Sequence, residues 1–270
     1  MLKNKKFLGQ NWLKDRATLL EIAKIARFGA LSSYDLSESD EARNDGPKER
    51  LQNEQSSTIL EIGPGLGTLT SALFNYFDRV IAVEFDEQLA AKLPKQFPGK
   101  NLEVIHADIL NFDLSILPKN YVVTGNIPYY ITSPIIQKFL HTDHKPSRIT
   151  LLVQKEVAQR LAAGQGDYSI LGLSAQIYAQ VELGPIVKRD QFTPAPKVDS
   201  QIVVLTPRKT PLATEKTMSF IKLGFCAPRK KLKNNLGLKS GTLTRVGIPE
   251  NARPADLSIE KWVELHQHLC

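Results

Sequence analysis

Residues 58–67 read Thr-Ile-Leu-Glu-Ile-Gly-Pro-Gly-Leu-Gly. A short apolar run passes straight into a turn with three glycines, and the helix-compatible stretch Thr68–Phe77 follows it. Near-continuous apolar strands of this kind are buried on both faces, so helices must cover both sides. That requirement confines the chain to the α/β class.

The alternation continues downstream. Arg79–Glu84, Leu102–His106, Tyr121–Thr124, Arg148–Gln154 and Ser200–Thr206 read as strands. Gln88–Gln96, cut near Pro94, together with Pro134–Leu140, Lys155–Ala162 and Leu171–Gln180, read as helices, and Val181–Pro185 as extended. A Rossmann-like parallel sheet with helices on both faces is the expected architecture. Residues 15–31 have apolar positions at helical spacing ahead of it. From Pro207 on the strand pattern stops, and Glu215–Phe225, Arg229–Leu236 and Ser258–His268 predict a small helical domain. The expected boundaries are 1–206 for the α/β domain and 207–270 for the helical one. Residues 32–57 carry seven acids and three bases with almost no large apolar side chains, and read as a polar surface insertion.

Charge divides along the same line. Residues 1–206 hold 23 Lys/Arg and 23 Asp/Glu, whereas residues 207–270 hold 12 and 5, so the whole formal charge of +7 lies in the last quarter. A basic appendage on a neutral body suits a nucleic-acid partner, because phosphate contacts release counterions. Arg229, Lys230, Lys231 and Lys233 are the candidate RNA contacts, read here as part of a helix with a broad positive flank, to which Lys3, Lys5 and Lys6 add. The two cysteines, Cys226 and Cys270, give no disulfide framework. No stretch approaches the ~20 apolar residues of a membrane span, and the first residues lack the apolar run of a signal peptide. A soluble cytoplasmic protein with no membrane partner is expected. His141 and His144 have no third ligand nearby, so no metal is expected.

Gly63, Gly65 and Gly67 follow a strand and open a helix, which lets the backbone turn sharply and approach a ligand. Glu84 closes the next strand and can accept hydrogen bonds from ribose hydroxyls, while Asp108, just past the third strand, can take an adenine amino group. The tight Gly-x-Gly-x-Gly spacing, with Pro64 inside it, favours a nucleoside cofactor without phosphates, S-adenosylmethionine, over a dinucleotide. Asn126-Ile127-Pro128-Tyr129 supplies the reacting centre. An asparagine amide can hold the amino group of a base while the tyrosine stacks on its ring, which points to methyl transfer onto an exocyclic nitrogen. Phe192, opening a stiff proline-rich loop, is the candidate for the opposite wall of the base.

Several segments then fall in one order: Gly9-Gln-Asn-Trp-Leu13, Leu60-Glu-Ile-Gly-Pro-Gly-Leu-Gly-Thr-Leu-Thr70, Gly125-Asn-Ile-Pro-Tyr129, Gln154-Lys-Glu-Val157, Phe192-x-Pro-x-Pro-Lys-Val-Asp-Ser200 and Arg229-Lys-Lys-Leu. Apart from 32–57, the chain resembles the small-subunit ribosomal RNA adenine N6,N6-dimethyltransferases nearly end to end. The resemblance implies dimethylation of two adjacent adenosines near the 3′ end of 16S rRNA during small-subunit assembly. A monomer is expected. It implies cofactor contacts at Asn11, Leu13, Gly63, Glu84, Asp108 and Asn126, with the target base between Tyr129 and Phe192. Loss of such enzymes confers kasugamycin resistance. Trp12 stands where the family usually has phenylalanine, and the polar insertion is longer than the family's usual connection. A non-catalytic assembly factor on the same fold is the alternative; intact Asn126, Tyr129 and Glu84 argue against it.

Overall fold

The computed structural model describes residues 11–30 and 57–269. Lys3, Lys5, Lys6, Gly9, Gln10 and all of the polar insertion but Ser57 lie outside the described residues. The chain divides into two compact units, Met1–Ala158 with Glu182–Pro207, and Gln159–Val181 with Arg208–Cys270.

In chain order the first unit begins with β1 (Trp12–Leu13) and α1 (Arg16–Phe28). The Asp15 carboxylate caps α1 by accepting from the Thr18 amide at 2.8 Å. Leu19, Ile22, Ala23, Ile25 and Ala26 are buried, so the helical spacing seen in the sequence becomes a core-facing stripe. Then come β2 (Thr58–Ile62), α2 (Thr68–Leu73), β3 (Arg79–Glu84), α3 (Glu87–Gln96), β4 (Leu102–His106), β5 (Val122–Asn126), α4 (Thr132–His141), β6 (Arg148–Gln154) and α5 (Lys155–Ala162). After α6 (Ile170–Tyr178), β7 (Ala179–Val187) leads into the first unit, which closes with β8 (Phe192–Thr193) and β9 (Ser200–Pro207).

The main sheet has seven strands in the order β4-β3-β2-β5-β6-β9-β7. From β4 through β6 every pairing is parallel, but β9 runs antiparallel to β6. The sheet is therefore mixed rather than parallel throughout. Antiparallel neighbours need no crossover helix, and β9 is reached through the proline-rich loop instead. Helix α2 stops at Leu73, short of the expected Phe77, and turns to Phe77 through Asn75 N–Ala72 O and Tyr76 N–Leu73 O bonds of 3.1 and 3.0 Å. Helix α3 continues through Pro94, which sits in its last turn.

Between β2 and β5 the chain reverses its order of laying down strands: β3 and β4 extend one way, β5 and β6 the other. Such a switch point leaves a crevice at the carboxyl ends of the two strands, where ligands of open α/β sheets bind. Gly63 follows β2, and Asn126 ends β5. Close pairing is possible because residue 125 is glycine; a Cβ there would lie 2.8 Å from the Ile62 carbonyl oxygen.

The second unit contains α6, α7 (Glu215–Gly224), α8 (Leu232–Asn235), α9 (Thr242–Arg245) and α10 (Ile259–Leu269). Trp262 is its largest fully buried side chain, with ring centroids 6.0 Å from Phe220 and 5.9 Å from Phe225. A Cβ on Gly224 would overlap the Trp262 ring. Residues 159–181, expected in the α/β domain, pack here instead. The Gln176 amide donates to Leu161 and Ala163 carbonyls at 2.8 Å, Gly166 N donates to Ala255 O at 2.8 Å, and Leu212 N to Ile177 O at 2.9 Å. The reassignment preserves the charge division, since this unit holds 13 Lys/Arg against 6 Asp/Glu and still carries the whole +7. The helix expected over Arg229–Leu236 is only α8. Lys231 is extended at ψ 139°, so Arg229 and Lys230 lie in the preceding turn. Among the described residues no helix is long and apolar enough to cross a membrane.

Candidate active site

The glycine turn is held open by backbone geometry. Gly63, Gly65 and Gly67 have φ of 62°, 58° and 79°, a region that favours glycine. Their substitution would meet different obstacles. A Cβ on Gly67 would lie 2.6 Å from Leu93 Cδ1, one on Gly65 would lie 3.2 Å from Trp12 Nε1, and one on Gly63 would meet nothing within 4 Å. Gly67 thus serves packing against α3, whereas Gly63 faces open space.

A cavity of about 310 Å³ opens at this turn. Leu13 of β1 and Asn11 just before it line the cavity, with Gly63 and Gly65 from the turn, Glu84 from the end of β3, Asp108 from just past β4, and Asn126 and Tyr129 from the end of β5 and the turn after it. Segments far apart in sequence converge because the strands end on one edge of the sheet.

Glu84 is 5% exposed. Its Oε2 accepts from the Gly65 amide at 3.0 Å and its Oε1 from the Asp86 amide at 2.9 Å. Burial pushes its pKa up, against the opposing pull of these amides. The carboxylate ties the glycine turn to the end of β3, and each oxygen keeps a lone pair for a ligand hydroxyl. Asp108 is half-buried and accepts from Leu110 N at 2.9 Å and Asn111 Nδ2 at 3.0 Å, which fixes its carboxylate beside the cavity. Asn126 donates from Nδ2 to Asn11 O at 2.8 Å. Tyr129 is anchored through its hydroxyl to Ser200 Oγ at 2.9 Å.

Phe192 is placed differently from the expectation. It is 3% exposed, pairs with Leu13 across the β1–β8 ladder and belongs to the core cluster, not to the cavity wall. A large apolar ring beside an aliphatic partner gains more from burial than from exposure at a loop tip.

Among the residues of the wall that sequence reasoning missed are Glu61, Phe85 and Tyr130. Glu61 is 1% exposed, accepts from Thr70 Oγ1 at 2.6 Å, and burial raises its pKa to about 8. An acid inside an otherwise apolar strand was the available signal. Phe85 stands between Glu84 and Asp86, and Tyr130 directly follows Tyr129.

In the second unit, Arg229, Lys230, Lys231 and Lys233 line one open cleft with Asn234, Asn251, Arg253 and Asp256. Lys233 is paired with Glu250 at 3.3 Å, so its charge is partly neutralised. Arg253, distant in sequence from the basic run, joins it only through folding. Among the described residues no group of three or more His, Cys, Asp or Glu could hold a metal, and His144 Nε2 is bonded to Leu117 O at 2.9 Å.

A glycine turn at a sheet switch point, acids closing the neighbouring strands and an asparagine at the end of β5 define a Rossmann-like methyltransferase. The chain belongs to the ribosomal RNA adenine dimethylase family, whose profile matches residues 1–269. The ribosomal RNA small subunit methyltransferase A of Nostoc punctiforme is 38% identical over 295 residues, covering 100% of this chain and 96% of that protein. Its counterpart from Synechocystis is 38% identical over 288 residues, covering 97% and 94%. Among solved structures, a dimethyladenosine transferase from Plasmodium falciparum superposes with a TM-score of 0.72 at 25% identity, covering 94% of this chain and 95% of that one. The 23S rRNA methyltransferase ErmE superposes with a TM-score of 0.70 at 27% identity, covering 96% and 99%.

Proposed function

We propose that the protein dimethylates N6 of two adjacent adenosines near the 3′ end of 16S rRNA, using S-adenosylmethionine, in the assembling small subunit. The observation that carries this reading is Asn126 held by Asn11 at the switch point, beside the glycine turn. The relatives named as small-subunit methyltransferases and the Phe192–Ser200 run support the small subunit as substrate over the large one.

The residues fit the cofactor. Glu84 offers carboxylate lone pairs for ribose hydroxyls, Asp108 offers an acceptor for an adenine amino group, and Gly63 leaves the backbone open to close approach. S-adenosylmethionine supplies an electrophilic methyl group on its sulfonium. The lone pair of an adenine N6 is delocalised into the ring and is a poor nucleophile. Asn126 Oδ1 accepts a hydrogen bond from N6–H and favours a more tetrahedral, more nucleophilic nitrogen; as the methyl passes from the sulfonium to N6, the surplus N6 proton leaves to water. Tyr129, braced by Ser200, fixes the plane of the base. Positioning of this kind replaces a strong base, since in-line attack gains chiefly from alignment. The cations of the second unit hold the RNA backbone.

Labelled S-adenosylmethionine with undermethylated small subunits tests the reading, wild type beside Asn126→Ala, with the product nucleoside identified. Dimethyladenosine from wild type alone is expected. Label on another nucleoside would overturn the substrate, and tight particle binding without label would favour a non-catalytic assembly factor.

A further inference from the structure

Two aromatic side chains stand out from the rest of the surface. Phe85 is 60% and Tyr130 is 65% exposed, and they are the only aromatics among the exposed large hydrophobic side chains of the described residues. Both line the same cavity. An exposed aromatic ring on the wall of a ligand cavity offers a π face on which a base can stack.

The two rings belong to different sides of the site. Phe85 follows Glu84 and lies with the acids read as holding the cofactor; its carbonyl is bonded by His106 Nε2 at 3.1 Å. Tyr130 follows the reacting segment. It lies in a 3-10 turn, Tyr129–Ile131, closed by an Ile131 N–Pro128 O bond of 3.2 Å. Adjacent side chains in such a turn diverge by about 120°. Tyr129 is half-buried with its hydroxyl on Ser200, so its neighbour is directed away from that anchor. Tyr130 makes no hydrogen bond or ring contact with another described residue, and its exposure costs the fold nothing in pairing.

We infer that Tyr130 is a stacking platform for the nucleobase next to the target adenine in the RNA strand. The inference rests on the proposed function, in which two adjacent adenosines of one RNA strand are the targets. While one base occupies the Asn126–Tyr129 site, its neighbour must be placed, and a phenol ring one residue further on offers it a π face. Stacking of this kind tolerates any base and needs no buried hydrogen bond. Tyr130 is a positioning residue: it acts on substrate register, not on the transferred methyl group.

Steady-state methylation of undermethylated small subunits by wild type, Tyr130→Ala, Tyr130→Leu and Tyr130→Phe tests this, with S-adenosylhomocysteine affinity and thermal melts as controls. KM for the particle rises about tenfold or more in the Ala and Leu variants, as loss of one base stack implies. The Phe variant keeps the wild-type KM because the ring remains, and cofactor affinity and melting are unchanged in all three. An unchanged KM in Tyr130→Ala overturns the inference while leaving the proposed function standing. So does equal loss in Tyr130→Phe, which would assign the effect to the hydroxyl. Lowered cofactor affinity in Tyr130→Ala would place the ring on the cofactor instead. Absence of dimethyladenosine from wild type overturns the proposed function and the inference with it.

Discussion

The side-chain amide of Asn126 donates to the main-chain oxygen of Asn11 at 2.8 Å, across 115 residues of sequence. An asparagine amide has one donor end and one acceptor end. With the donor end committed to Asn11, the acceptor end is the one left for a substrate amino group. Asn126→Ala is expected to cut methyl transfer by about 10²-fold or more, the scale of losing one oriented polar group at a reacting centre. Asn126→Asp is the sharper test, because a carboxylate cannot donate to the Asn11 carbonyl. A near-wild-type rate for that variant in the methyl-incorporation assay would sink the orientation argument.

Gly65 and Trp12 form a coupled pair. Alanine at 65 requires a left-handed backbone, costing about 1–2 kcal/mol, and brings its Cβ against the indole. Gly65→Ala should lower the melting temperature and weaken S-adenosylhomocysteine binding in titration calorimetry. Trp12→Phe removes the crowding but not the backbone strain. The double variant should therefore recover part of the loss, and strict additivity in the mutant cycle would refute contact between the two.

Glu61 makes stability depend on pH. Its native carboxyl titrates near 8, against 4.5 ordinarily, because of burial. Between those values the folded protein keeps a proton that the unfolded chain has released, so this group's contribution falls as pH rises and levels off above about 8. Glu61→Gln cannot ionise, yet still offers Thr70 an acceptor. Thermal melts at the two ends of the window should show a smaller decline in the variant than in wild type. Equal declines would show that Glu61 does not titrate there.

The basic cleft should reveal itself through salt. Arg229→Ala, Lys230→Ala and Lys231→Ala should each weaken binding to undermethylated small subunits and reduce the slope of log affinity against log salt by about one. Lys233→Ala should reduce the slope less, since Glu250 already neutralises part of its charge. Binding titrations across a salt series decide this; a full unit of slope lost at Lys233 would mean that the ion pair opens on RNA.

The central strands were legible because their burial on both faces is written into continuous apolar runs: Thr58–Ile62, Arg79–Glu84 and Arg148–Gln154 have the bounds read from sequence, as does the less buried edge strand Leu102–His106. The β1–β8 ladder was not, since each strand has two residues and exists only through the other. Antiparallel β9 has the composition of a parallel strand, and direction leaves no local mark. In the site, residues chosen for their chemistry line the cavity, while Phe192, chosen for its place in a proline-rich loop, is in the core. Arg253 was missed because its neighbours in the cleft are distant in sequence.

The Leu13–Phe192 ladder, reinforced by Lys14 N bonded to Gln191 O at 3.1 Å, sets a timetable for the chain. A polypeptide emerges from its N-terminus, so Trp12 and Leu13 are synthesised well before Phe192 and have no strand partner until Phe192 has left the exit tunnel. The wall of the cavity is consequently among the last parts of the α/β unit that a nascent chain completes. A half-made copy lacks the finished pocket.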